Sequence, residues 1–133
     1  MGVNYLVICS GNTCRSPMAA ALLAAGVGEA HRVQSAGLFA ETDAPAAANA
    51  VAACAEVGLD IASHRAAQVT AAQLETADRV LVMTEAHRAA LLAVGVPRDR
   101  ITVLGVPDPF GGDLDAYRAA RDANAAALSE VLL

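Results

Sequence analysis

Cys9 and Arg15 close the spacing Cys-x5-Arg within Val7-Ile8-Cys9-Ser10-Gly11-Asn12-Thr13-Cys14-Arg15-Ser16-Pro17. The apolar run Tyr5 to Ile8 ends at the cysteine, and helical patterning begins after Pro17. A loop between a strand and a helix offers consecutive backbone N–H groups and a helix N-terminus, which together form a nest for an oxyanion. Gly11 is expected to supply turn freedom, and Asn12 tolerates the left-handed region. Arg15 brings a planar fork that binds two phosphoryl oxygens at once. The same positive field favours a thiolate at Cys9, and a thiolate on the floor of a phosphate cradle is an in-line nucleophile. A cysteine at a strand end is, taken alone, often only a small buried hydrophobe. Its combination with Gly11, Asn12, Ser16 and Pro17 in a strand–loop–helix context is what carries the chemistry. Ser10, Gly11, Asn12, Thr13, Cys14 and Ser16 are therefore the candidate phosphate-binding set. Ser16 either caps the helix, directs its hydroxyl at the sulfur, or does both.

Phosphoryl transfer to a thiolate also needs a proton donor for the leaving group, and later a base for water. Asp108 is the best candidate, in Val106-Pro107-Asp108-Pro109-Phe110-Gly111-Gly112. An Asp-Pro pair alone is only a turn signal. Here two prolines stiffen the aspartate, and glycines that let the loop close follow it. Phe110 supplies a wall that can pack on a phenyl ring or a guanidinium plane alike.

Elements that could hold these loops follow from periodicity. Buried strands are expected at 3–8, 32–37, 79–83 and 101–104, from continuous apolar or β-branched runs. Helices are expected over 17–26 (Ser16 as N-cap, Pro17 in the first position, Gly26 near the stop), 46–57 (closed by Gly58), 85–94 and 113–132, with a short turn at 71–75 capped by Thr70. Strands alternating with helices imply an α/β fold: an open, parallel, four-stranded sheet covered on both faces. Ligands bind beyond the carboxyl ends of such strands. The Cys9 loop and the Asp108 loop both sit at such ends, so two loops can converge on one site. One domain over 1–133 is the economical reading, since no linker, repeat or charge block interrupts the chain.

The 133 residues are 56% hydrophobic but only 3% aromatic, which favours closely packed helices. Net charge is −5, and all nine basic residues are arginines scattered from Arg15 to Arg121. That distribution argues against a nucleic-acid surface. No apolar run approaches the roughly 20 residues of a membrane span. The start, Met1-Gly2-Val3-Asn4, lacks a basic leader, and Leu6 does not fit a myristoylation signal. Three cysteines without a leader point to free thiols in a reducing cytoplasm. Cys9, Cys14 and three scattered histidines do not make a zinc site.

On Cys9-Ser10-Gly11-Asn12-Thr13-Cys14-Arg15-Ser16-Pro17, Ser35-Ala36-Gly37, His64-Arg65, the segment Asp78 to Met83 and Asp108-Pro109, the chain resembles the low-molecular-weight protein-tyrosine-phosphatase family from end to end. The resemblance implies a phosphocysteine intermediate at Cys9, phosphate binding by Arg15, and proton transfer by Asp108. Asn12 and Ser16 would hold the loop and thiolate, with no metal or cofactor. Phosphorylated proteins are the implied partners, and the chain itself is expected to be monomeric. Thr13 stands where tyrosine phosphatases of the family usually carry isoleucine or another apolar residue. With Ser35-Ala36-Gly37-Leu38-Phe39-Ala40 and Asp108-Pro109-Phe110-Gly111-Gly112 it is similar to the protein-arginine phosphatase branch. A polar loop side chain suits an N-phosphoguanidinium group, so phosphoarginine removal is the leading expectation and phosphotyrosine removal the alternative. A thioredoxin-coupled arsenate reductase shares the fold and loop but needs further downstream cysteines, and only Cys54 remains. A silent phosphoprotein-binding module would have lost the nucleophile, the arginine or the acid, and all three are present.

The resemblance further suggests that Cys14 pairs with Cys9 under oxidation, against the plainer reading of a loop-filling residue. Cys54 is expected in the core, His64 as a brace for the phosphate loop or a turn residue, Tyr117 near the acid loop, and His31 and His87 at the surface.

Overall fold

The computed structural model describes residues 2–132; Met1 and Leu133, the two ends of the expected 1–133 domain, lie outside them. Four strands, β1 (Asn4–Cys9), β2 (Arg32–Gly37), β3 (Arg79–Val82) and β4 (Ile101–Val103), form one parallel sheet in the order β2-β1-β3-β4. β1 is central and covered on both faces, which is why Tyr5 to Cys9 read as an unbroken apolar run and are all buried. Alternate residues go to opposite layers. Tyr5, Val7 and Cys9 join one core with Leu81 and Met83, while Leu6 and Ile8 join another with Val80 and Val82. Fully burying each of the larger of these side chains contributes about 1.5–3 kcal/mol.

The first layer is closed by α1 (Arg15–Val27), α2 (Ala48–Ala55) and α5 (Leu114–Val131), and the second by α3 (Ala71–Thr76) and α4 (Glu85–Ala93). Alanine at Ala50, Ala53 and Ala120 lets α2 and α5 approach closely, and all three are buried. Outside that contact, Glu56 at the end of α2 bridges Arg118 at 2.6 Å and Arg121 at 2.8 Å on α5. The two guanidiniums hold the Glu56 carboxyl down to about 2. Caps follow side-chain chemistry. Thr70 and Gln73 form a reciprocal capping box on α3, Thr84 accepts from the His87 N–H on α4, and Asp113 accepts from the Ala116 N–H on α5.

Helix ends depart from expectation in three places. α1 begins at Arg15, so Ser16 is its second residue and Pro17 its third, and Cys14 stands at the N-cap without a side-chain cap bond. Ser16 is therefore no cap; its hydroxyl is engaged in the loop described below. Gly26 lies inside α1, and the chain turns instead at Gly28, whose φ is 77°. α2 is shorter than 46–57, because Pro45 is bridged to Arg65 and Ala47 is still non-helical, with ψ 140°. A 3-10 turn at Arg98–Arg100, not expected from the sequence, leads into β4.

Candidate active site

The phosphate loop leaves the carboxyl end of β1 and is anchored by a single buried amide. Asn12 takes the left-handed conformation with φ 57°. Its Nδ2 donates to Ser16 Oγ at 2.8 Å and to Ser35 Oγ at 3.0 Å, and its Oδ1 accepts from the Ala67 N–H at 2.9 Å. The backbone N–H of Ala67 can only donate, so this contact fixes which way the amide faces. The Asn12 carbonyl accepts from His64 Nε2 at 2.7 Å, the bracing role expected of that histidine. The left-handed turn thus falls at Asn12 and not at Gly11, which carries no positive φ. A Cβ at Gly11 would meet only Thr13 Oγ1, at 3.7 Å.

Cys9 Sγ lies 3.0 Å from Ser16 Oγ and accepts from the Asn12 N–H at 3.3 Å. Because Asn12 already donates to Ser16 Oγ, the Ser16 proton is free to point at sulfur. The donors therefore run in one direction, amide to hydroxyl to Cys9. No side chain caps α1, so the N–H groups of its first turn add to the positive end of this nest.

Arg15 is buried under the second loop. Its Nη1 donates to the Val106 carbonyl at 3.1 Å, and its Nη2 lies 3.7 Å from Asp108 Oδ2. The side chain of Asp108 is 53% exposed and faces the pocket; its Oδ1 accepts from the Phe110 N–H at 3.0 Å. Left-handed Gly111, with φ 79°, then turns the loop into α5. A pocket of about 230 Å³ is lined by Cys9, Ser10, Gly11, Thr13, Cys14, Arg15, Phe39, Asp108 and Phe110. Phe39 and Phe110 stand exposed at its mouth. The structure thus gathers the expected site residues around one pocket, with Asn12 and Ser16 buried just beneath it. A larger groove of about 480 Å³ lies away from them, lined by Leu74, Val94 and Val96 among others.

Four positions to which the sequence reading gave no role in the site also support the loop. Ser35, at the middle of β2, holds the Asn12 amide. Asn124, buried on α5, donates to the Arg15 carbonyl at 3.4 Å. Its signal was present: it interrupts the buried stripe Tyr117, Ala120, Asn124, Leu128 of α5. Gly37 packs against the loop so closely that a Cβ there would sit 2.6 Å from the Ser10 carbonyl and 3.1 Å from the Asn12 N. Gly37→Ala is accordingly expected to cut kcat/KM by roughly one to two orders of magnitude, since displacing a preorganised loop by a fraction of an ångström is costly. Steady-state kinetics beside circular dichroism, which should stay native, will measure it.

His87 is the fourth, and it corrects the expectation of a surface histidine: it is 6% exposed, with Nε2 2.9 Å from Ser10 Oγ. Burial and the Arg15 charge hold its pKa below the ordinary value, against an opposing pull from Asp108. His31 also departs from expectation. Half-buried, it accepts from the Val3 N–H at 2.8 Å and meets the Tyr5 ring edge-on. Cys54 is in the core, as expected, and its burial raises the thiol pKa. Cys14 and Tyr117 pair at 3.4 Å, and burial with that contact pushes the phenol well above its usual range.

The parallel sheet, the Cys-x5-Arg cradle and the aspartate loop facing it define a class. The chain belongs to the low molecular weight phosphotyrosine protein phosphatase family, whose profile matches residues 4–132. The protein-arginine-phosphatase of Geobacillus stearothermophilus is 37% identical over 92% of this chain and 88% of its own. The solved structure of YwlE arginine phosphatase from that organism superposes with a TM-score of 0.90 at 34% identity, covering 97% of this chain and 90% of that one. The tyrosine phosphatase AmsI of Erwinia amylovora gives 0.92 at 30% identity, over 99% and 92%. A cysteine-to-serine mutant of YwlE arginine phosphatase, with a phosphorylated active site serine, gives 0.88 at 34%, over 97% and 93%.

Proposed function

We propose that the chain is a single-domain, cysteine-dependent phosphatase that removes phosphate from phosphoarginine in proteins. Cys9 attacks phosphorus in line, while Arg15 and the N–H groups of the phosphate loop that are not turned to sulfur hold the phosphoryl oxygens. Asp108 protonates the departing nitrogen, then takes a proton from the water that cleaves the phosphocysteine. The observation that carries the arginine reading is Thr13, a polar side chain on the wall of the pocket that Asp108 also lines, where the aspartate can accept guanidinium N–H groups. Support comes from the similarity to the Geobacillus protein-arginine-phosphatase and from the phosphorylated serine in the mutant relative. The second reading, phosphotyrosine, is favoured by Phe39 and Phe110, which offer apolar walls to a phenyl ring. An arsenate-reductase relay is disfavoured by Cys54, which lies fully buried in α2.

Parallel kinetics on phosphoarginine and phosphotyrosine peptides decide between the first two. Wild type is expected to prefer phosphoarginine, and Thr13→Ile to shift the ratio of kcat/KM toward phosphotyrosine by about tenfold or more, the scale of one lost polar contact. A wild-type preference for phosphotyrosine overturns the arginine reading. We further infer a monomer acting on phosphorylated proteins in the cytoplasm, which suits the three free cysteines. Among the described residues no helix is long and apolar enough to cross a membrane.

A further inference from the structure

His87 is a buried titratable group that the chemistry above leaves without a task. It sits in the first turn of α4, where its N–H is tied to Thr84 Oγ1 at 3.3 Å. Its Nε2 meets Ser10 Oγ, and its Nδ1 is buried with no hydrogen-bond partner. Ser10 is otherwise fixed: its carbonyl accepts from the Phe39 N–H at 2.9 Å and lies against Gly37. Only its hydroxyl proton is left to turn, and Ser10 lines the phosphate pocket.

A neutral imidazole has one donor and one acceptor nitrogen. An orphaned buried N–H is rarer and costlier than an orphaned lone pair. The unpartnered Nδ1 is therefore the acceptor, and the proton is on Nε2, where it donates to Ser10 Oγ. A serine oxygen that accepts from histidine keeps its own proton for another acceptor. The charged side chains acting on this pair are Arg15 and Asp108, both of the pocket.

We propose that His87 is a positioning residue which, as the Nε2–H tautomer, donates to Ser10 and thereby turns the Ser10 hydroxyl proton toward the phosphoryl group held in the pocket. α4 thus reaches across from the layer opposite α1 to set a donor of the phosphate loop. The proposal rests on the phosphatase reading for its kinetic arm, and on structure alone for its spectroscopic arm.

Nitrogen-15 NMR of the histidine rings in the wild-type chain is expected to find His87 protonated on Nε2; protonation on Nδ1 overturns the proposal whatever the chain's activity. On p-nitrophenyl phosphate, His87→Phe and Ser10→Ala are each expected to lower kcat/KM by roughly tenfold, the scale of one hydrogen bond to a charged group. The double variant should lose no more than Ser10→Ala alone, because one hydrogen bond is removed twice. His87→Gln, whose amide reaches the same atom, should recover to within about threefold of wild type. Should the phenylalanine variant not fold, His87→Asn, too short to reach Ser10, replaces it. Additive losses, or failure of Gln to recover more than Phe or Asn, overturn the proposal. A substrate preference opposite to the one proposed above leaves these outcomes unchanged, because they read the phosphoryl site common to both substrates.

Discussion

Cys9→Ser is expected to abolish turnover, with kcat falling by an order of 10⁴-fold or more, as when a catalytic nucleophile is removed. The substitution is nearly isosteric, and the Asn12 and Ser16 donors that face sulfur will face the hydroxyl too. What changes is ionisation. Those donors stabilise an anion, and a serine hydroxyl does not supply one as a thiol does. Any serine that is phosphorylated becomes a stable ester, since an alkoxide leaves far less readily than a thiolate. Steady-state assays on phosphoarginine and phosphotyrosine peptides measure the first effect, and intact-chain mass spectrometry the second, as the gain of one phosphoryl group. Residual turnover above about one thousandth of wild type is inconsistent with Cys9 as the only nucleophile.

Asp108→Asn has the next largest expected effect, a loss of about 10²- to 10⁴-fold on substrates whose leaving group must be protonated. Asparagine keeps an Oδ1 acceptor for the Phe110 N–H, so the loop retains its turn. It removes only the proton and the charge beside Arg15. Loss on p-nitrophenyl phosphate should be much smaller, because p-nitrophenolate departs without help. Equal losses on activated and unactivated esters overturn the assignment of Asp108 as proton donor. They point instead to its charge holding Arg15 in place, across the 3.7 Å between them.

Much of this site was legible because it is local. Residues 9–17 carry their geometry in their own types, and β2 covers the expected 32–37, ending at Gly37. That the strands run parallel followed from alternation of elements, since parallel neighbours require a crossover; their order did not. What was not legible depends on contacts distant in sequence. For Ser16 the sequence left two roles open, helix cap or hydroxyl aimed at sulfur, and only its contacts with Asn12 and Cys9 select the second. Nothing in Arg32-Val33-Gln34-Ser35 says that Ser35 will meet an amide 23 positions earlier. His87 reads as polar surface because it stands between Glu85 and Arg88 in the sequence. Its partner, Ser10, lies 77 positions away in the phosphate loop after β1. A signal was nonetheless available, since His87 and Leu91 share one face at i, i+4 and are the buried residues of that helix.

The Asn12 amide has a consequence for the end of the catalytic cycle. By tying the loop to β2, α1 and Ala67, while the Asn12 carbonyl accepts from His64, it leaves the cradle already shaped before any anion arrives. A preformed cradle spends no binding energy on closing, but it grants that saving to every tetrahedral oxyanion alike. The phosphate released from Cys9 meets the same donors that held it as substrate. Affinity for the product is thus bound to affinity for the reactant, and the rigidity that speeds attack makes free phosphate an inhibitor of the next turnover.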